Sequence, residues 1–166
     1  MIATDSFFEA TAAQVVTFPA FGLYVIEGDI VAAEHNGFTL TATIYRDDNT
    51  SSPDEREEGF WPSSDPDAAG YVRPEHFAAE KARAEMLLRT WRNDEWFYCG
   101  VAVTVSRNGI QLTSPYSNAL WGIECNQPGS DNNYLAQVAA DLASEALAEA
   151  RAVLTKLCAS CAGPKA

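Results

Sequence analysis

Trp96-Phe97-Tyr98-Cys99-Gly100-Val101-Ala102-Val103-Thr104-Val105-Ser106, running on into Arg107-Asn108-Gly109-Ile110, decides the fold. Phe97, Cys99, Val101, Val103 and Val105 make one apolar row, while Trp96, Tyr98, Gly100, Ala102, Thr104 and Ser106 make a mixed one. That alternation is the period-two signature of a strand in an antiparallel sheet. Asn108-Gly109 fits a two-residue type I′ turn, whose central residues both need positive φ. A return strand is therefore expected over 110–113. Pro115, Ser117 and Asn118 make the next turn, and 119–125 reads as a third strand.

Toward the N-terminus the pattern continues. Over 38–45, Phe38, Leu40, Ala42 and Ile44 alternate with three threonines and Tyr45, and β-branched threonine suits an exposed pleated face. His35-Asn36-Gly37 gives a second Asn-Gly turn, 30–34 a short strand, and Gly28-Asp29 a turn. A strand is expected over 21–27, with a helix beginning at Pro19 as its competitor. Residues 1–14 read as a loose arm or short helix, anchored by Phe7, Phe8 and Val15.

Two helices complete the reading. Pro74 suits a first helical position with Glu75 in the first turn. Phe77, Ala84, Leu88 and Trp91 share a face of a helix ending near Trp91. Its Lys81, Arg83, Arg89 and Arg92 form the basic region of the chain, read as a solvated face that pairs with the acidic stretch upstream. A second helix is expected over 133–157, capped by Asp131 or Asn132. Its apolar stripe is Leu135, Val138, Leu142, Ala146, Ala150, Val153 and Leu157. The sum is an α+β fold: an antiparallel sheet of about five or six strands with two main helices packed on one face. One domain spans 1–157, with a long acidic loop over 47–73 and a flexible tail over 158–166.

Composition narrows the function classes. At 166 residues the chain is long enough to bury a core without disulfides. A hydrophobic fraction of 47% argues against general disorder. No run of about 18 apolar residues offers a membrane span, and the first residues lack a signal peptide's basic and apolar regions. A cytoplasmic setting is the expectation. The net charge of −12 disfavours direct binding to nucleic acid or acidic membranes, since phosphates repel it. Thirteen carboxylates face two arginines within residues 1–67, so the negative charge is lopsided.

Candidate chemistry is sparse. Cys99 and Cys125 read as small buried hydrophobes. Cys158-Ala159-Ser160-Cys161 is a CxxC, but a zinc site needs two further ligands, and only His35 and His76 are spare. Reduced, incidental thiols are the expectation, with no metal and no cofactor. His35, His76, Ser63, Ser64 and Ser114 lack a nucleophile context, and no phosphate-binding glycine pattern occurs. Glu124 shares a strand row with Leu120 and Gly122, and a structural role in the following loop competes with a catalytic one.

The residues that suggest a partner are acidic or aromatic. Asp47, Asp48, Asp54, Glu55, Glu57, Glu58, Asp65 and Asp67 crowd one loop with Phe60 and Trp61. A loop beyond about 15 residues in a compact domain is usually functional or disordered. The aromatics either pin it to the core or act as binding anchors. Asp141, Glu145 and Glu149 recur every four residues, about 6 Å apart along a helix from a rise of ~1.5 Å per residue. A nucleic-acid backbone repeats at ~6–7 Å, so the row either imitates phosphates or is a solvated face.

The stretches Asp54-Glu55-Arg56-Glu57-Glu58-Gly59-Phe60-Trp61-Pro62-Ser63-Ser64-Asp65-Pro66-Asp67-Ala68-Ala69-Gly70-Tyr71, Trp91-Arg92-Asn93-Asp94-Glu95-Trp96 and Leu120-Trp121-Gly122-Ile123-Glu124-Cys125-Asn126 resemble a family of small acidic proteins of bacteriophages, prophages and mobile elements. The resemblance runs over about 18–157 and brings no functional residues with it, because that family has no assigned activity. It implies the cytoplasm of a bacterial host and an accessory or counter-defence role. The leading expectation is a non-enzymatic protein that binds a basic host protein, a nucleic-acid-binding enzyme or defence factor, by nucleic-acid mimicry. A structural or assembly accessory that forms a homo-oligomer, and a small enzyme using Glu124, are the alternatives.

Overall fold

The computed structural model describes residues 15–161, so the expected arm over 1–14 lies outside the described residues. The elements in order are β1 (Ile30–His35), β2 (Phe38–Arg46), α1 (Pro53–Arg56), α2 (Pro74–Arg92), β3 (Phe97–Arg107), β4 (Ile110–Gln111), β5 (Ala119–Cys125) and α3 (Tyr134–Cys161). The class is α+β, with one antiparallel five-stranded sheet.

β3 is its axis. β2 pairs with one edge of β3 over nearly its whole length. The other edge is shared: β5 takes the first half, from Phe97 opposite Cys125 to Ala102 opposite Ala119, and β4 takes Ser106 and Arg107. Both Asn-Gly turns are as expected, with Asn36 and Gly37 at φ 51° and 77°, and Asn108 and Gly109 at 50° and 77°.

The odd row of β3 meets Phe38, Leu40, Ala42 and Ile44 of β2 and is covered by α3. The helix touches the sheet through Leu135, Ala139, Ala143, Ala146, Leu147 and Ala150. Four of those six are alanines, which let the helix axis come close to the strands. Leu157, placed in the stripe by spacing, lies beyond the sheet and is exposed. α3 also runs on through Cys161, so 158–161 continue the helix where a tail was expected.

Val16, Phe21 and Val25 join α3 in this cluster. α2 does not join its core; its buried Ala84 and Leu88 lie apart, and its docking runs through Trp96 of the mixed row. The Trp96 indole N–H donates to the Leu87 carbonyl at 3.0 Å and to Thr90 Oγ1 at 3.1 Å. α2 is thus joined to the start of β3 through Trp96. β3 is buried on both sides over its first half, its odd row under α3 and its even row under Arg56 at Tyr98 and Trp121 at Gly100.

The strand expected over 21–27 is absent. Its backbone is held instead by two asparagine side chains from the loop after β5. Asn126 Oδ1 accepts the Val25 N–H at 2.8 Å and Asn126 Nδ2 donates to the Val25 carbonyl at 2.7 Å, so one carboxamide stands in for a neighbouring strand. Asn132, fully buried, accepts the Asn126 N–H at 2.9 Å and donates to the Leu23 carbonyl at 3.0 Å and to Asn126 Oδ1 at 2.9 Å. It is therefore spent on this lock rather than on capping α3. Buried polar groups are tolerated when satisfied in this way.

Candidate functional site

The acidic loop is ordered and folded on itself. Pro53 starts the single turn of α1, and the chain then crosses over at two glycines. Gly59 has φ 84°, and a Cβ on Gly70 would strike the Trp61 carbonyl oxygen. The Ser63 N–H donates to the Gly70 carbonyl at 2.7 Å, and the Val72 N–H to the Ser63 carbonyl at 2.9 Å, closing the crossing.

The expected contact residues divide into three groups. Asp47 is internal: its carboxylate accepts from the Asn49 N–H, from Thr50 Oγ1 at 2.7 Å and from the Gly122 N–H at 3.0 Å, tying the loop to β5. Asp48 pairs with Arg46, which also bonds Asp94. Asp54 is half-buried and its Oδ1 has no hydrogen-bond partner. Glu55, Glu57, Glu58, Asp65 and Asp67 are exposed, and among the described residues none of them lies in an ion pair.

Among the described residues no ion pair joins the arginines of α2 to this loop, contrary to the expected pairing, although Arg83 lines the same cleft as Glu57 and Glu58. Arg83 lies 3.8 Å from Glu80 and Lys81 3.9 Å from Glu85, both within the helix. The helical row also loses a member. Glu149 turns to the turn before β5, accepting from Asn118 Nδ2 at 2.7 Å and Ser117 Oγ at 2.8 Å. Asp141, which accepts from Gln137 at 2.8 Å, and Glu145 stay exposed. Three evenly presented carboxylates are thus not on display.

Phe60 and Trp61 meet edge to face, with ring centroids 5.2 Å apart. Phe60 is half-buried and serves as the pin, while Trp61 is 42% exposed. A second aromatic group, not read from the sequence, lies where β5 borders the loop. Tyr45, Tyr116 and Trp121 form a cluster with centroids 5.1 to 6.3 Å apart. Trp121 lies flat over Gly100, where any side chain on β3 would displace it, and both Trp121 and Tyr116 stay largely exposed. A signal existed: Gly100 lies in the mixed row of the central strand, the position that leaves room for a ring from elsewhere.

A cleft of about 340 Å³ opens between the 53–62 segment, α2 and the end of β5. Its lining holds the carboxylates of Glu57, Glu58, Glu80 and Glu124 against one guanidinium, Arg83, with Trp96, Phe60 and Leu87 among its apolar walls. Glu124 faces Tyr98 across the β3–β5 ladder. Burial pushes the Glu124 carboxyl above the usual carboxylate range, Glu57 adds to the rise by its charge and a hydrogen bond, and Arg56 opposes it. Tyr98 is likewise raised, by burial first and then by Glu57. Arg56 lies 4.7 Å over the Tyr98 ring and donates to the Gly122 carbonyl at 2.6 Å.

Cys99 and Cys125 are fully buried, their sulfurs 2.7 Å apart. The shared S–H contact and burial push the Cys99 thiol strongly up, so it is no nucleophile. Among the described residues no three His, Cys, Asp or Glu side chains are grouped to hold a metal ion, and no helix is long and apolar enough to cross a membrane. Comparison with protein-family models, curated proteins and solved structures finds no match to this chain.

Proposed function

We propose that this chain is a binding protein for a basic protein partner, docking through the face built by the acidic loop and the aromatic residues beside it. One observation carries the reading: Glu55, Glu57, Glu58, Asp65 and Asp67 are held by an ordered, self-crossed loop, and among the described residues none of them lies in an ion pair. Uncompensated charge on a rigid loop raises the local potential and steers a cationic surface. Trp61, Tyr116 and Trp121 supply exposed aromatic area next to it, the residue types that anchor interfaces. The partner class in this reading is a nucleic-acid-binding host factor, in keeping with the phage or mobile-element resemblance. Mimicry of a phosphate strand by the α3 row is not part of it, because Glu149 is engaged internally.

The test is titration with a fluorescent nona-arginine peptide at rising salt. Binding that weakens by about tenfold or more between roughly 50 and 300 mM NaCl is expected, since the Debye length falls below about 10 Å over that range. Salt-independent binding, or none, refutes the reading.

A second reading, a small enzyme using Glu124, is favoured by one feature: the cleft brings a second carboxyl, Glu57, within hydrogen-bonding reach of it. Carboxyl pairs with separated pKa values serve as acid and base in hydrolases. A catalytic cleft converts what it binds and a docking cleft returns it unchanged, so mass spectrometry of the recovered ligand separates the two.

A further inference from the structure

We propose that two copies of this chain associate through the outer edge of β1, the two strands pairing antiparallel about a two-fold axis at Ala32, so that one sheet runs through both. The inference stands apart from the basic-partner reading and concerns the side of the sheet away from the acidic loop.

The first observation is an edge whose main-chain groups are unspent. β1 pairs with β2 from Ile30 opposite Thr43 to His35 opposite Phe38. The Ile44 N–H donates to the Asp29 carbonyl at 2.9 Å, which sets the alternation along the pair. Val31, Ala33 and His35 turn their main-chain groups toward β2, while Ile30, Ala32 and Glu34 turn theirs outward. Among the described residues no group of the chain bonds to those outward N–H and C=O groups. Residues 15–19 pass β1 on the core side, where Val16 and Phe18 pack, and an open groove lies between them and 32–36.

The second is the contrast with the far edge. There the acidic loop serves β5: Asp47 Oδ2 accepts the Gly122 N–H at 3.0 Å, and Arg56 donates to the Gly122 carbonyl at 2.6 Å. β1 lacks the devices that keep edge strands apart. It holds no lysine and no proline, its register with β2 has no bulge, and its charges come only at its end, in Glu34 and His35. Ile30 is 63% exposed, and Ala32 is exposed beside it.

The third is self-complementarity, which selects a second copy as the occupant. Pairing that uses the outward groups of both strands sets Ile30, Ala32 and Glu34 against one another. A centre at Ala32 uses all three: Ile30 of each copy faces Glu34 of the other, and Ala32 faces Ala32, for about six main-chain hydrogen bonds. No like charges meet in this register, and the small Ala32 side chains sit where the strands cross the axis. One step further out, His35 of one copy stands opposite the Asp29 carboxylate of the other. A centre at Glu34 would instead set two carboxylates face to face, which destabilises a strand pair.

This arrangement leaves the two acidic loops at opposite ends of the joined sheet. With β1, β2, β3 and β5 in that order and strands ~4.8 Å apart, the two β5 edges stand roughly 34 Å apart. That exceeds the Debye length of about 8 Å at physiological salt, so the charge of the loops does not oppose the pairing. The dimer then carries two docking faces, and a partner with two basic sites gains avidity.

The experiment is sedimentation equilibrium of the full chain from about 1 to 500 μM, with backbone hydrogen exchange measured at both ends of that range. The average mass should climb from one copy toward two. The Ile30, Ala32 and Glu34 amides should exchange at least about tenfold more slowly at the higher concentration, while Val31 and Ala33 stay protected at both. Ala32→Pro removes an outward N–H and leaves the β1–β2 ladder intact, so it should stay monomeric throughout. Ala32→Glu, which sets two carboxylates together at the axis, should do the same and serves if the proline variant loses its β1–β2 protection. No rise in mass, or association that persists in Ala32→Glu, overturns the proposal. So does protection of Ile30, Ala32 and Glu34 that is unchanged by dilution, which would show the edge to be covered within one chain.

Discussion

Asn132→Ala tests the lock that replaces a strand. The substitution removes three hydrogen bonds of 2.9 to 3.0 Å from a fully buried side chain. At a net value near 1 kcal/mol each, their loss costs about 3 kcal/mol. Asn132 also sits at φ 58°, where asparagine is tolerated and alanine is strained by roughly 1 kcal/mol. The expected loss is therefore about 4 kcal/mol, or a Tm lowered by about 8–16 °C for a chain of this size. Urea denaturation followed by far-ultraviolet circular dichroism measures it. Asn132→Gly should recover part of the backbone term but none of the hydrogen bonds. Exposed Asn133→Ala should stay within about 1 kcal/mol of the parent. Hydrogen exchange adds a local readout, because the Val25 amide donates to Asn126 and Asn126 is held by Asn132. A loss below about 1 kcal/mol with Val25 still protected would show that the 21–28 segment is held by something other than this pair.

Glu124→Gln should stabilise the free protein above the usual carboxylate pKa. The Glu124 carboxyl is raised in the fold, so the folded state binds its proton more tightly than the unfolded chain. Stability from that proton is complete below the unfolded pKa and is lost as pH rises through the folded one. Thermal melts at acidic pH should then coincide for the two proteins and separate toward neutrality; parallel curves would contradict this. Cys99 and Cys125 should react with a thiol reagent only as fast as the chain opens, while exposed Cys158 reacts at once; rapid labelling of all three would show the β3–β5 core to be open. Leu40→Ala, in the covered face of β2, should cost about 2–5 kcal/mol in urea melts. A value under 1 kcal/mol would mean that the α3–sheet core is misassigned.

The sheet was legible because its signals are local. The alternation in 38–45 and 97–105 and the two Asn-Gly turns each act within a few residues, and β5 follows the 119–125 expectation. Residues 21–27 misled because their apolar run resembles a strand, while its hydrogen-bond partners are side chains about a hundred positions away. Spacing marked Phe77, Ala84 and Leu88 as a face of α2 but not its anchor, the Trp96 indole N–H on the Leu87 carbonyl. For the site, the acidic content of 47–67 was visible, but not its division of labour. That Asp47 and Glu149 are spent on Gly122, Ser117 and Asn118 depends on contacts across the fold. Glu124 was singled out, whereas Glu57 and Tyr98 joined it only once the loop and the ladder were in place.

The most direct measurement compares two variants of equal net charge for affinity to nona-arginine. One carries Glu55→Gln, Glu57→Gln and Glu58→Gln in the loop; the other carries Glu27→Gln, Asp141→Asn and Glu145→Gln, exposed acids elsewhere. If the ordered loop is the docking face, the first should lose about tenfold or more in affinity and the second less than about threefold at moderate salt. Equal losses would mean that the peptide senses only total charge, and the assignment of a binding face to the loop would be wrong.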